Sequence, residues 1–154
     1  MDAIGLLKKD HSYIQGLFNK FDRVNRNNFD KKFKIYDEIR AELELHTHVE
    51  EEFFYPVVKE LGPQGKALVS EAMREHKDVN TLIGQIDRLE SSDANFDDRV
   101  QSLIEQAEHH IGEEEQEIFQ FVQENCSREQ LQDIGRAIHD VVRSRRNLRG
   151  GKVA

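Results

Sequence analysis

The chain has 154 residues, of which 37% are apolar and 34% charged, and carries a formal net charge of −8. That length suits one domain with a single hydrophobic core, and those proportions suit helices that each keep one wet face. The charge argues against a general nucleic-acid or anionic-membrane binder, 9 glycines and 2 prolines argue against a turn-rich β-sandwich, and no apolar run approaches the length of a membrane span.

The first predicted helix, about residues 2–24, carries Ile4, Leu7, Ile14, Leu17, Phe18, Phe21 and Val24 at helical spacing, and His11 falls on that face. A polar break with turn-forming asparagines covers residues 25–28. The second helix, about 30–61, has the inner stripe Phe33, Tyr36, Ile39, Leu43, His46, Glu50, Phe53 and Val57. Pro56 removes one backbone hydrogen bond near its end and is expected to kink it, and Gly62-Pro63 stops it. The third, about 64–90, carries Leu68, Ala72, His76, Val79, Ile83, Ile86 and Leu89; residues 91–95 form a loop. The fourth, about 96–125, carries Val100, Leu103, Ala107, His110, Glu114, Ile118 and Phe121. Ser127 and Gln130 form a capping-box signature for a fifth, shorter helix to about residue 146, apolar at Leu131, Ile134, Ile138 and Val141. The basic segment from Arg143 to Lys152 reads as a solvated C-terminus rather than a binding patch, with residues 147–154 a flexible tail. Four long helices with short connections predict an all-α fold: an up-down-up-down antiparallel four-helix bundle over residues 1–146, with a short fifth C-terminal helix.

One pattern occurs twice in this chain. Lys9-Asp10-His11 is followed by His46, Glu50 and Glu51 and then Phe54-Tyr55-Pro56; Arg74-Glu75-His76 is followed by His110, Glu114 and Glu115 and then Ile118-Phe119. Each half offers a lone histidine and then a His-x-x-x-Glu pair at nearly equal separation. In an antiparallel bundle His11, His46, His76 and His110, all near mid-helix, reach one level. Glu50 and Glu114 lie one turn, roughly 6 Å, beyond their histidines on the same faces.

A lone mid-helix histidine is more often a packed or surface residue than a ligand, and a single His-x-x-x-Glu arises by chance. Duplication with matched separation, level and face favours a metal site. Two glutamates at core positions require a compensating cation, and no Lys or Arg shares those stripes at that level. Four His and two Glu suit two iron ions, and the donors contain no thiolate of the kind that marks a Cys-based structural zinc. If both glutamates bridge the irons, two histidines per iron and one oxo or hydroxo bridge leave one open position on each, where O₂, peroxide, NO or azide could bind.

His48, His109 and His139 read as outer residues. In each acidic run one glutamate faces in and the others, such as Glu51 and Glu115, form a solvated face. Phe53, Phe54, Tyr55, Ile118 and Phe119 read as core that also keeps water from the metals. The single cysteine, Cys126, permits no intrachain disulfide and receives no role; it points to a reducing compartment, and the charged N-terminus does not look like a signal peptide. A cytoplasmic location is the expectation.

These motifs together, over roughly residues 1–140, resemble the hemerythrin-like (HHE cation-binding) domain family. The resemblance implies a four-helix bundle with a non-haem, oxo-bridged di-iron centre. Its members include O₂ carriers, O₂ or iron sensors, and proteins linked to peroxide, nitric oxide and iron–sulfur repair. This chain departs from hemerythrins proper, which have five His and two carboxylates with two His one turn apart on the third helix. Here His76 stands alone, flanked one turn away by Ala72 and Asn80. Their last carboxylate is an Asp five residues after its His; here Glu114 follows by four. Reversible O₂ carriage is therefore expected to be weaker or absent, and Asn80→His is a candidate for restoring a sixth protein ligand to one iron. The sequence begins without the cysteine-bearing extension of the repair proteins, so that role is expected to be weaker. Ferritin-type oxidation is disfavoured, because that architecture uses Glu-x-x-His.

The expected function is binding of O₂ or a related small oxidant, peroxide or NO, at an oxo/hydroxo-bridged centre of two Fe ions held by His11, His46, Glu50, His76, His110 and Glu114, for sensing, storage or detoxification. The alternatives are catalase-like peroxide or NO turnover at the same irons, and an iron-responsive interaction module. The expected partner is the small ligand, with no nucleic acid, no membrane and an unknown protein partner.

Overall fold

The computed structural model describes the backbone of residues 1–153 and the side chains of residues 1–148. The chain runs α1 (Ala3–Asp22), α2 (Phe29–Val49), a π-helical turn π1 (Glu50–Phe54), α3 (Tyr55–Lys59), α4 (Pro63–Ile86), α5 (Phe96–Glu113), a second π-helical turn π2 (Glu114–Ile118), α6 (Phe119–Asn125) and α7 (Arg128–Val153). The fold is all-helical, and none of the described helices is long and apolar enough to cross a membrane.

Local chemistry sets the ends. The Asp2 carboxylate accepts from the Gly5 N–H at 2.9 Å and caps α1. Ser127 and Gln130 exchange the two bonds of a capping box, at 3.1 and 3.0 Å, and open α7. Gly62 has φ 111°, the left-handed region that glycine adopts without strain. At Gly65 a Cβ would lie 2.1 Å from the Val58 carbonyl oxygen, so only glycine lets α4 start this close to α3.

The hydrophobic core is split in two. One cluster joins Ala3, Ile4 and Leu7 to Leu45, Val49, Phe54, Val69, Phe119 and the α7 residues Leu131, Ile134 and Ile138. The other joins Ile14, Leu17, Phe18 and Phe21 to Ile35, Ile39, Val79, Ile83, Val100 and Leu103. Along α1 and α4 a histidine, His11 or His76, separates the clusters; on α2 and α5 His46 and His110 lie at the boundary, His46 just past Leu45 of the first cluster and His110 just past Ala107 of the second.

The structure corrects the sequence reading in four places. The second and fourth helices are not uniform. Each widens into a π-turn, which moves the inward register by one residue, so that after Glu50 the deeply buried positions are Phe54 and Val58, while Phe53 and Val57 are only half-buried. Pro56 does not cause this, because the second π-turn forms with Gln120 at the matching position. Phe33 is exposed; Lys32 is buried instead, its Nζ 2.8 Å from Asp97 and 3.9 Å from the centre of the Phe21 ring. The fifth helix is not short: α7 has 26 residues and is helical through Val153, across most of the range expected to be a tail. Arg146, expected to be solvated, folds back onto Asp10 and Glu42.

Candidate metal centre

The two π-turns begin at Glu50 and Glu114. His46 and Glu50 keep α-helical spacing on one face, as do His110 and Glu114. Past each glutamate the backbone bond spans five residues, Tyr55 N–H to Glu50 C=O and Phe119 N–H to Glu114 C=O. A residue five positions on therefore falls back under the glutamate and faces the same layer. This local widening brings an aromatic side chain to each half of the site.

All six residues expected as ligands are buried in one layer. The His11 and His46 Nε2 atoms are 3.1 Å apart, with Glu114 Oε1 3.1 Å from His11 Nε2 and Glu50 Oε1 3.3 Å from His46 Nε2. The His76 and His110 Nε2 atoms are 3.0 Å apart, with Glu50 Oε1 3.1 Å from His76 Nε2 and Glu114 Oε2 3.6 Å from His110 Nε2. Two donor groups with metal-ligand proximity result: His11, His46, Glu50 and Glu114, and Glu50, His76 and His110, with Glu50 common to both.

Behind each imidazole stands a carboxylate. His11 Nδ1 is 2.7 Å from Glu115, His46 Nδ1 2.7 Å from Asp10, His76 Nδ1 2.7 Å from Glu51 and His110 Nδ1 2.8 Å from Glu75. An ionised carboxylate only accepts, so each Nδ1–H donates and each Nε2 turns inward. Two neutral imidazoles then point lone pairs at each other across about 3 Å, which a cation between them relieves. Without a metal, protons supply the charge. The His46 imidazole is held well above its usual range: burial lowers it, but the Glu50 charge and the bond to Asp10 prevail. His110 is raised to about 10, because bonds to Glu50 and Glu75 and the charge of Glu114 outweigh its burial. Glu50 titrates well below the usual carboxylate range despite its burial, through the His46 charge and hydrogen bonds from its neighbours. Burial and the Glu50 charge push Glu114 up. Protons and metal ions thus compete for the same Nε2 atoms.

The donors fit a metal pair on a further count. Glu50 Oε2 is buried and lacks a hydrogen-bond partner in a residue that is 0% exposed. A bare carboxylate oxygen in that position costs several kcal/mol unless a cation meets it.

Sequence reasoning missed several members of the site. Glu51 and Glu115 were assigned to a solvated face; they are partly exposed, but each anchors a buried histidine of the other half. Asp10 and Glu75 had no separate role. The signal was present, since an acidic residue adjoins His11, His76, Glu50 and Glu114 in both copies of the repeat. Tyr55, expected only to pack, donates its hydroxyl to Glu114, with Glu50 Oε1 3.3 Å and His76 Nε2 3.2 Å from the same oxygen. Its counterpart Phe119 stacks on His11 at 5.8 Å. No repeat could have flagged Tyr55, because the two halves differ there. His48, His109 and His139 are outer residues as expected, paired with Glu52, with Glu75 and Glu113, and with Asp140. Asn80 is exposed, which removes it as a place for a further ligand.

A buried layer of paired His-x-x-x-Glu turns, each imidazole backed by a carboxylate, is a donor set that could hold cations. The family model of the hemerythrin HHE cation binding domain matches residues 2–122, and the chain belongs to that family. It is similar to a DNA nickase of Nostoc sp., 27% identical over 86% of this chain and 36% of the relative, and to an uncharacterized hemerythrin-like protein of Schizosaccharomyces pombe, 28% identical over 79% and 60%. The chain thus spans less than two thirds of the length of these curated relatives. In fold it is similar to the crystal structure of a hemerythrin HHE cation binding domain-containing protein of Mycobacterium kansasii, with TM-score 0.82 and 23% identity over 97% of this chain and 93% of that one.

Proposed function

We propose that this chain is a non-haem di-iron protein in which His11, His46, Glu50, His76, His110 and Glu114 hold two irons, and that it binds O₂ or a related small oxidant, peroxide or NO, for sensing, storage or detoxification. The observation that carries the reading is the pair of facing Nε2 couples, 3.1 and 3.0 Å apart, flanking a Glu50 carboxylate whose second oxygen has no partner. Nitrogen and carboxylate donors without thiolate suit iron. The alternation of the two apolar clusters along α1, α2, α4 and α5 supports an up-down-up-down four-helix bundle around the centre. A net charge of −8 is unsuited to nucleic-acid or anionic-membrane partners, the single cysteine supports a reducing, cytoplasmic location, and the activity named for the longer nickase relative is not carried over to this chain.

When bound, two irons would supply redox electrons and positions open to a small ligand. The chain's own residues do the rest. Asp10, Glu51, Glu75 and Glu115 orient the imidazoles. Phe54 and Phe119, 0% and 1% exposed, keep bulk water out. Tyr55 holds a phenolic proton inside the layer, since burial and the charges of Glu114 and Glu50 raise it well above its usual range. That buried proton favours a second reading, turnover of peroxide or NO, over passive binding alone. Stable reversible O₂ carriage is not expected.

Metal analysis with an ultraviolet–visible spectrum of aerobically purified protein tests the proposal. Two irons per chain with near-ultraviolet charge-transfer bands are expected. One tightly bound zinc, and no iron after growth in iron-rich medium, would overturn it. Oxygen exposure of the diferrous protein then separates the roles: a long-lived oxy species that releases O₂ under vacuum restores carriage to first place.

A further inference from the structure

The carboxylate behind His46 is itself gripped from outside. Asp10 accepts the His46 Nδ1–H through Oδ2 at 2.7 Å, and its Oδ1 lies 3.3 Å from Nη2 of Arg146, on α7. The same Nη2 is 3.1 Å from Glu42 Oε2, and the guanidinium sits 5.3 Å from the centre of the Tyr13 ring. The side chains of Asp10 and Glu42 are only 13% and 7% exposed, so solvent screens these contacts incompletely. In the other half the matching carboxylate, Glu75, meets the exposed imidazole of His109 at 3.3 Å instead. Besides the Tyr55 and Phe119 difference within the layer, the two halves of the centre therefore differ in what stands behind these carboxylates.

We infer that Arg146 is a positioning residue for one metal position. It pins one oxygen of Asp10 so that the other presents a fixed acceptor to His46. Through this chain of contacts the C-terminal helix governs the His11–His46 position and leaves the His76–His110 position unaffected. A carboxylate with one oxygen held by a guanidinium loses the freedom to rotate about its side chain. Without Arg146, Asp10 loses the donor on its Oδ1 and is free to turn towards water, and the His46 ring loses its orientation. The inference rests on the two-metal reading above.

Zinc-loaded protein with ¹⁵N-labelled histidine provides the test, because zinc is diamagnetic and an imidazole N–H bonded to a carboxylate gives a distinct downfield signal. Asp10→Asn and Glu75→Gln identify the His46 and His110 signals. In Arg146→Ala the His46 Nδ1–H is expected to shift and exchange faster with water while the His110 signal stays. Competition against a chelator should then show one zinc held about tenfold more weakly and the other unchanged. Arg146→Lys, which keeps the charge without the planar fork, should recover part of both effects. Leu131, Ile134 and Ile138 anchor α7 independently of Arg146, so the variants test the contact rather than the helix. An unmoved His46 signal in Arg146→Ala, or equal weakening of both zincs, overturns the inference. Zinc stoichiometry in the unmodified protein judges the two-metal reading separately: if only one ion binds, that reading fails, and the His46 signal still decides the role of Arg146.

Discussion

The His11–His46 and His76–His110 halves of the centre share ligand types, spacing and backing carboxylates, yet the aromatic residue five positions after each glutamate differs. Phe119 lays a flat apolar face on His11 at 10° between ring planes. Tyr55, tilted at 38° to His76, puts a hydroxyl among Glu50, Glu114 and the His76 Nε2. The difference teaches that a repeated scaffold supplies geometry, while one side-chain substitution in the repeat supplies chemistry. One half is closed by hydrocarbon, and the other carries a proton donor.

The largest effect should erase the comparison altogether. Glu50 belongs to both donor groups, so Glu50→Ala is expected to empty both positions. Its melting temperature should not respond to iron, whereas chelation of the unmodified protein should lower melting by about ten degrees or more if it removes several kcal/mol. Glu114→Ala should behave likewise. Apo and metal-loaded protein that melt together would break this account.

Removing one backing carboxylate at a time should divide the centre. Asp10→Asn and Glu75→Gln are each expected to weaken one metal about 10- to 100-fold and spare the other. A titration in which either variant weakens both ions equally would show that the halves do not act separately.

Tyr55→Phe makes the two aromatic positions alike. Loss of a hydrogen bond to a charged acceptor should cost the metal-free protein about 2 kcal/mol, or roughly five degrees of melting temperature. The visible spectrum of the iron-loaded variant should change as well. Phe119→Tyr, the reciprocal change, should alter the spectrum without restoring that stability, because its hydroxyl would have to find room beside His11. An unaltered spectrum in both would deny the aromatic pair any part in the centre.

The smallest effect is predicted for Asn80→His. Asn80 is exposed, so a histidine there should leave metal stoichiometry and spectrum as they are. A third histidine bound to one iron would contradict the helix phase seen here.

What could be read in the sequence follows from periodicity. His11, His46, His76 and His110 lie on apolar stripes, and an α-helical period carries each to the layer where the structure places it. Glu50 and Glu114 were legible for the same reason. The period fails past them, because a π-turn has no composition of its own; the phase of Phe53 against Phe54 was therefore misread. Phe33 was misread for another reason, as the Lys32 stem lies along Phe21 and its head reaches Asp97, contacts that polarity alone does not suggest. Arg146 was beyond reach, since its partners lie 136 and 104 residues away.

The split core has a consequence for the history and engineering of the chain. Each apolar cluster draws on both copies of the repeat. The first takes Leu7 and Val49 from one copy with Val69 and Ile118 from the other, and the second takes Ile14 and Ile39 with Ile83 and Leu103. Neither copy owns an interior. Cut between α3 and α4, the two pieces would have to find each other to become structured, and one piece alone could complete itself only by pairing with a second molecule of its own kind.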